Sequence, residues 1–141
     1  MNLLLQAGMP ENAVERNGPL VVIVDDDPAV LNSLKFSFEI EGFAVRTFGS
    51  AEELLNSDEV VQSGCFIIDF NLVGTNGLDL LRQLRKQQIV APAILMTTNP
   101  TALLRERAAI AGVPIVEKPL FGNTLIDSVR RALDRKRPPA L

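Results

Sequence analysis

In the stretch VVIVDDDPAV (21–30), a run of branched aliphatic residues leads into three carboxylates, Asp25, Asp26 and Asp27. Asp27 has a structural use. Asp followed by Pro is the order of an N-cap and a first helical residue: a carboxylate to accept a free N–H, then a ring with none to offer. Asp25 and Asp26 have no such duty, and like charges that close raise each other's pKa unless something positive sits between them. Three more polar groups end apolar runs elsewhere: Asp69 in CFIIDFNL, Thr97 in AILMTTNP and Lys118 in IVEKPL. With no His and a single cysteine, this oxygen-rich set disfavours zinc and suits Mg2+, which favours carboxylates and phosphate oxygens. A carboxylate beside such a cation can attack a phosphoryl group and hold it as an acyl phosphate. The metal and an ammonium such as Lys118 would neutralise the phosphoryl charge, and a hydroxyl such as Thr97 can donate to a third oxygen.

The elements that must position these groups are legible as alternating patterns. LVVIVD (20–25), FAVRTF (43–48), CFIID (65–69), PAILMT (92–97) and VPIVE (113–117) read as strands. The first, third and fourth are continuously apolar, as central strands covered on both faces require. Val30, Leu31, Leu34 and Phe38 make a helical stripe that Gly42 can close, and SAEE (50–53) matches a capping box between Ser50 and Glu53. Leu78, Leu81 and Leu84 make a third helix. Leu104, Ala108 and Ala111 make a fourth that stops at Gly112, and Ile126, Val129 and Leu133 make a fifth.

Five strand–helix units predict an α/β fold, a (βα)5 three-layer sandwich on a parallel sheet with right-handed crossovers. Ligands of such sheets bind beyond the carboxyl ends of the strands. In the order 2-1-3-4-5, strands 1 and 3 are neighbours, and Asp25, Asp26 and Asp69 converge with Thr97 and Lys118 on one edge.

Composition bounds the class. The chain has 141 residues, 47% of them hydrophobic and 22% charged, which is one globular domain's worth. A net charge of −3 and a pI near 5.0 argue against nucleic acid as a direct ligand. No stretch approaches a membrane span, and one cysteine fits a reducing cytoplasm. Residues 1–18 read as a mobile arm, 19–136 as the domain and 137–141 as a tail. Cys65 reads as a small core residue, and Arg130, Arg131, Arg135, Lys136 and Arg137 as charges complementing a helix C-terminus.

Taken together, the strand-end residues resemble the receiver domain of two-component response regulators, nearest its FixJ-like branch, over roughly residues 19–134. The resemblance implies that Asp69 is the phosphoacceptor, Thr97 the switch hydroxyl and Lys118 the phosphate-contacting lysine, with a cis bond to Pro119. It implies Mg2+ held by Asp26 directly, by Asp25 largely through water, by Asp69 and by the main-chain carbonyl of Asn71. It further implies a cytoplasmic phosphoprotein rather than an enzyme, served by a sensor histidine kinase or phosphotransfer protein. A homodimer through the fourth helix, fifth strand and fifth helix is the other partner it implies. With no effector domain in the 141 residues, the expectation is a stand-alone regulator acting through a partner, dimerisation or a phosphorelay.

The pattern departs from the family at three places. Leu72 and Val73 stand where Met-Pro is frequent, though Gly77 is kept; Thr98 follows Thr97 where a smaller residue is usual; Ile115 holds the position of an aromatic switch. Ile115 and Thr98 favour an alternative, a phosphate-independent interaction module. A Mg2+-dependent phosphatase with an Asp nucleophile would want DxD after its first strand and a substrate cap. An FMN carrier would want a phosphate loop without carboxylates, and a dinucleotide enzyme GxGxxG.

Overall fold

The computed structural model describes residues 18–57, 64–120 and 123–136. Most of the expected arm and all of the expected tail therefore lie outside the described residues. In chain order the main elements are β1 (Leu20–Val24), α1 (Pro28–Ile40), β2 (Ala44–Phe48), α2 (Ala51–Leu55), β3 (Cys65–Asp69), α3 (Gly77–Lys86), β4 (Ala93–Thr97), α4 (Ala102–Ala111), β5 (Ile115–Glu117) and α5 (Thr124–Lys136). All neighbouring strands pair in parallel, in the order β2-β1-β3-β4-β5. This is the expected (βα)5 sandwich.

Alternation along the strands builds the two outer layers. Val21, Ile23, Ile67, Ile94 and Met96 face α1 and α5, where Leu34, Phe38, Ile126 and Val129 meet them. Val22, Val24, Phe66, Ile68 and Leu95 face the other way, onto Leu54, Leu80, Leu84 and Leu104. Because both faces are covered, the central strands cannot alternate apolar with polar, and their sequences do not. Truncating a fully buried side chain such as Phe38 to Ala would cost about 3–5 kcal/mol.

The expected punctuation is in place. The Asp27 carboxylate accepts from the Ala29 N–H at 2.9 Å, with Pro28 in the first turn. The Ser50 hydroxyl accepts from the Glu53 N–H at 3.0 Å, while the Glu53 carboxylate reaches back to the Gly49 N–H at 2.8 Å. Gly42 and Gly112 end α1 and α4 at φ of 96° and 73°, a region glycine enters without a Cβ penalty.

Several details differ from the sequence reading, among them one-residue shifts at the end of β1 and the start of β2. β4 and β5 start later than expected, after Pro92 and Pro114, which have no N–H for the ladder, although their carbonyls still accept from Phe66 and Leu95. Ala111 is exposed and Leu80 is fully buried, so α4 packs a narrower stripe and α3 a wider one. Arg130 does not serve the end of α5: it sits in mid-helix, bonds Glu41 at 2.9 Å and lies 5.7 Å from the centre of the Phe43 ring.

Candidate functional site

The carboxyl edge of the sheet gathers the singled-out residues. Asp25 is the first residue past β1. Its N–H still reaches the Phe48 carbonyl at 3.2 Å, which turns the carboxylate into the sheet edge, fully buried. The α1 cap fixes one of its oxygens: the Asp27 N–H donates to Asp25 Oδ1 at 2.9 Å. Asp27 thus serves the site through its backbone while its side chain starts the helix.

Asp69 ends β3 and is also buried, and Oδ1 accepts from the Asn71 N–H at 3.4 Å. Asn71 opens a two-residue antiparallel ribbon, Asn71–Leu72 with Thr75–Asn76, to which no sequence pattern points. The ribbon returns the chain to Gly77, whose N–H bonds the Phe70 carbonyl at 2.8 Å. A Cβ at Gly77 would stand 2.8 Å from the Asp69 carbonyl oxygen, so only glycine lets α3 start this close to the site.

Lys118 follows β5, tied by its N–H to the Thr97 carbonyl at 2.8 Å and joined to Pro119 by a cis peptide. Its ammonium lies between the two buried acids, 3.1 Å from Asp25 Oδ2 and 3.5 Å from Asp69 Oδ2. Burial, and next the charge of Asp25, push the Asp69 carboxyl above the usual carboxylate range; Lys118 and the Asn71 N–H only partly offset this. Burial disfavours the Lys118 ammonium, but its bond to Asp25 and the two carboxylate charges outweigh that and hold its pKa up. One ammonium thus stands against three carboxylates.

Asp25, Asp26 and Asp69 each offer an oxygen within 4.8 Å of the others, and Asp26 is the exposed member. A negative, oxygen-only cluster open on one side fits a hard divalent cation that keeps some of its water. The structure therefore brings Asp25, Asp26, Asp69 and Lys118 together. Thr97 is buried at the end of β4, one residue beyond the Asp69–Met96 pairing, and its hydroxyl makes no hydrogen bond among the described residues. Ile115 pairs with Leu95 and is half-buried against the cluster on the α2–α4 side.

A polar network beside the site went unread. The Asn76 side chain caps α3 at the Asp79 N–H at 2.8 Å and donates to the Asp79 carboxylate at 3.1 Å, which Arg82 holds at 2.6 Å. The N-x-x-D spacing of NGLD (76–79) is the signal that would have found it.

Comparison with known proteins agrees with this geometry. The family model described as "Response regulator receiver domain" matches residues 21–130. The chain is 29% identical over 121 residues to the transcriptional regulatory protein FixJ of Bradyrhizobium diazoefficiens, covering 85% of this chain and 59% of that protein. It is 34% identical over 118 residues to the C4-dicarboxylate transport transcriptional regulatory protein DctD of Pseudomonas aeruginosa, covering 83% of this chain and 26% of that one. The chain thus spans only part of the length of these relatives. Among solved structures, FixJ-N superposes with a TM-score of 0.75 at 32% identity, covering 89% of this chain and 99% of that one. Full-length FixJ from B. japonicum gives a TM-score of 0.77 at 28% identity, covering 85% and 60%.

Proposed function

The chain belongs to the response-regulator receiver family, and on that premise we propose that it accepts a phosphoryl group on Asp69 from a phosphohistidine, with Mg2+. The observation that carries this reading is the convergence of Asp25, Asp26 and Asp69 around the Lys118 ammonium. Asp69 Oδ2 attacks phosphorus while the P–N bond of the donor breaks, and the leaving imidazole nitrogen takes up a proton. A bound Mg2+ would offset charge on the phosphoryl oxygens. Asp25, Asp26, Asp69 and the Asn71 carbonyl would hold it. Lys118 would follow the developing phosphoryl charge, because its ammonium lies 3.5 Å from Asp69 Oδ2, and Thr97 would supply a hydroxyl that has no partner among the described residues.

The domain proper is residues 19–136, working in the cytoplasm, with a sensor histidine kinase or phosphotransfer protein as donor; no described helix is long and apolar enough to cross a membrane. A groove of about 370 Å³ between α1 and α5, lined by Lys118, Pro119, Leu34 and Ile126, leads from the site and offers that donor an apolar footing. A second copy is the other partner we propose, through α4, β5 and α5, where Ile110 is exposed and Arg105 bonds Glu117 at 3.1 Å.

Output through a partner, a dimer or a phosphorelay belongs to the same proposal. The aliphatic Ile115 favours one second reading, a receiver-like module that binds without phosphate. One experiment separates the two. Incubation with Mg2+ and a small acyl phosphate should add the mass of one phosphoryl group, labile to hydroxylamine and absent in Asp69→Asn. A wild-type protein that never gains this mass, or an Asp69→Asn variant that does, would leave the binding module standing instead.

A further inference from the structure

A groove of about 440 Å³ runs beside the acid cluster without including Asp25, Asp26 or Asp69. Arg82 stands on the α3 wall, Thr97 and Asn99 on the floor, and Leu103, Leu104 and Arg107 on the α4 wall. Thr97 is 3% exposed, and its hydroxyl has no partner among the described residues. A buried hydroxyl left unpaired costs about 1–3 kcal/mol, so this one is suited to an incoming acceptor.

The two walls differ in charge. On the α3 side, Asp79 lies in the first turn and takes Arg82 at 2.6 Å, so cation and helix end are answered internally. On the α4 side, Thr101 caps only the Leu104 N–H and the first turn has no acidic residue. Arg107 makes no ion pair among the described residues. The α4 wall therefore presents a guanidinium and a positive helix end, and beside them Leu103, 55% exposed.

We propose that this groove binds a small aliphatic carboxylate. Its anionic end would lie against Arg107, the first turn of α4 and the Thr97 hydroxyl, and its hydrocarbon on Leu103 and Leu104. The volume lies within the range of small-molecule sites, and the leucine wall calls for hydrocarbon next to the charge, which inorganic phosphate lacks. Thr97 is also the hydroxyl that the phosphoacceptor reading turns toward Asp69. On that reading, groove occupancy and phosphorylation compete for one group, and each weakens the other by the same factor.

Titration of the full chain with hexanoate, without Mg2+ and against sodium chloride at matched ionic strength, tests the site by backbone amide NMR. Saturable shifts at Asn99, Ala102 and Leu103 are expected, with affinity about fivefold weaker in Arg107→Gln. Arg107 is exposed, so that variant should keep the wild-type amide spectrum. Shifts no larger than those with chloride, or equal affinity in Arg107→Gln, would overturn the site. None of this requires phosphorylation, so such a failure leaves the phosphoacceptor reading untouched. Adding beryllofluoride with Mg2+ should then weaken hexanoate binding several-fold. Unchanged affinity, with beryllofluoride visibly bound beside Asp69, would overturn the coupling.

Discussion

On the β1 and β3 side of the site, each oxygen of Asp25 and Asp69 has a fixed partner: the Asp27 N–H, the Asn71 N–H or the Lys118 ammonium. On the β4 side, the Thr97 hydroxyl has none among the described residues and borders an open groove. The difference follows from charge. A buried carboxylate without partners costs several kcal/mol, whereas a neutral hydroxyl can be left waiting at far smaller cost. On the proposed phosphoacceptor reading, the acidic half is held still for the chemistry and the hydroxyl half is left free to respond to it.

Removing the cation from the tight half should give the largest effect. Lys118→Met leaves Asp25 and Asp69 buried without their counter-ion, and should cost about 3 kcal/mol in metal-free buffer at pH 7. Millimolar Mg2+ should restore much of this, because the unfolded chain has no such site. Urea unfolding with and without Mg2+ measures both terms, and equal stability of variant and wild type would show that Lys118 does not hold the acids.

Asp26 is exposed, so its removal should separate metal binding from folding. Asp26→Ala should weaken Mg2+ binding about tenfold or more while leaving metal-free stability unchanged or slightly raised. Calorimetric titration showing wild-type affinity would remove Asp26 from the ligand set.

The raised pKa of Asp69 gives a pH dependence of definite sign. Its ionised form costs more in the folded chain than in the unfolded one. That penalty is absent below the ordinary carboxylate pKa and complete above the raised one. Metal-free stability should therefore fall as pH rises through that window. Asp69→Asn cannot ionise, so it should flatten that slope and raise Tm at pH 7 by a few degrees. A variant whose Tm tracks wild type at every pH would contradict the assigned burial.

The smallest effect belongs to the exposed Arg105–Glu117 pair, which ties α4 to β5 beside Thr97. Arg105→Ala should change stability by less than about 1 kcal/mol. A larger loss, by thermal melt, would mean that the hydroxyl half is more tightly held than described.

The fold was legible because its signals are local or periodic: aliphatic runs at β1, β3 and β4, the Asp27-Pro28 start of α1, the Gly42 and Gly112 stops. The convergence of Asp25, Asp69 and Lys118 was legible only through topology, since 93 residues separate Lys118 from Asp25 and only strand order makes them meet. Partners made by tertiary approach were not legible. Nothing local says that Arg130, in the middle of α5, meets Glu41, or that the Asp27 backbone, rather than its side chain, serves the site. The Asn71–Asn76 ribbon was missed because two-residue strands carry no periodicity.

Backbone amide NMR with beryllofluoride and Mg2+ tests the contrast between the two halves most directly. The account predicts large changes at Thr98, Asn99 and Leu103 and small ones at Ile115, whose β-branched side chain has few χ1 states to move between. Changes at Ile115 and along β5 equal to or larger than those in the Thr97–Pro100 segment would contradict it and place the responsive element in the strand instead.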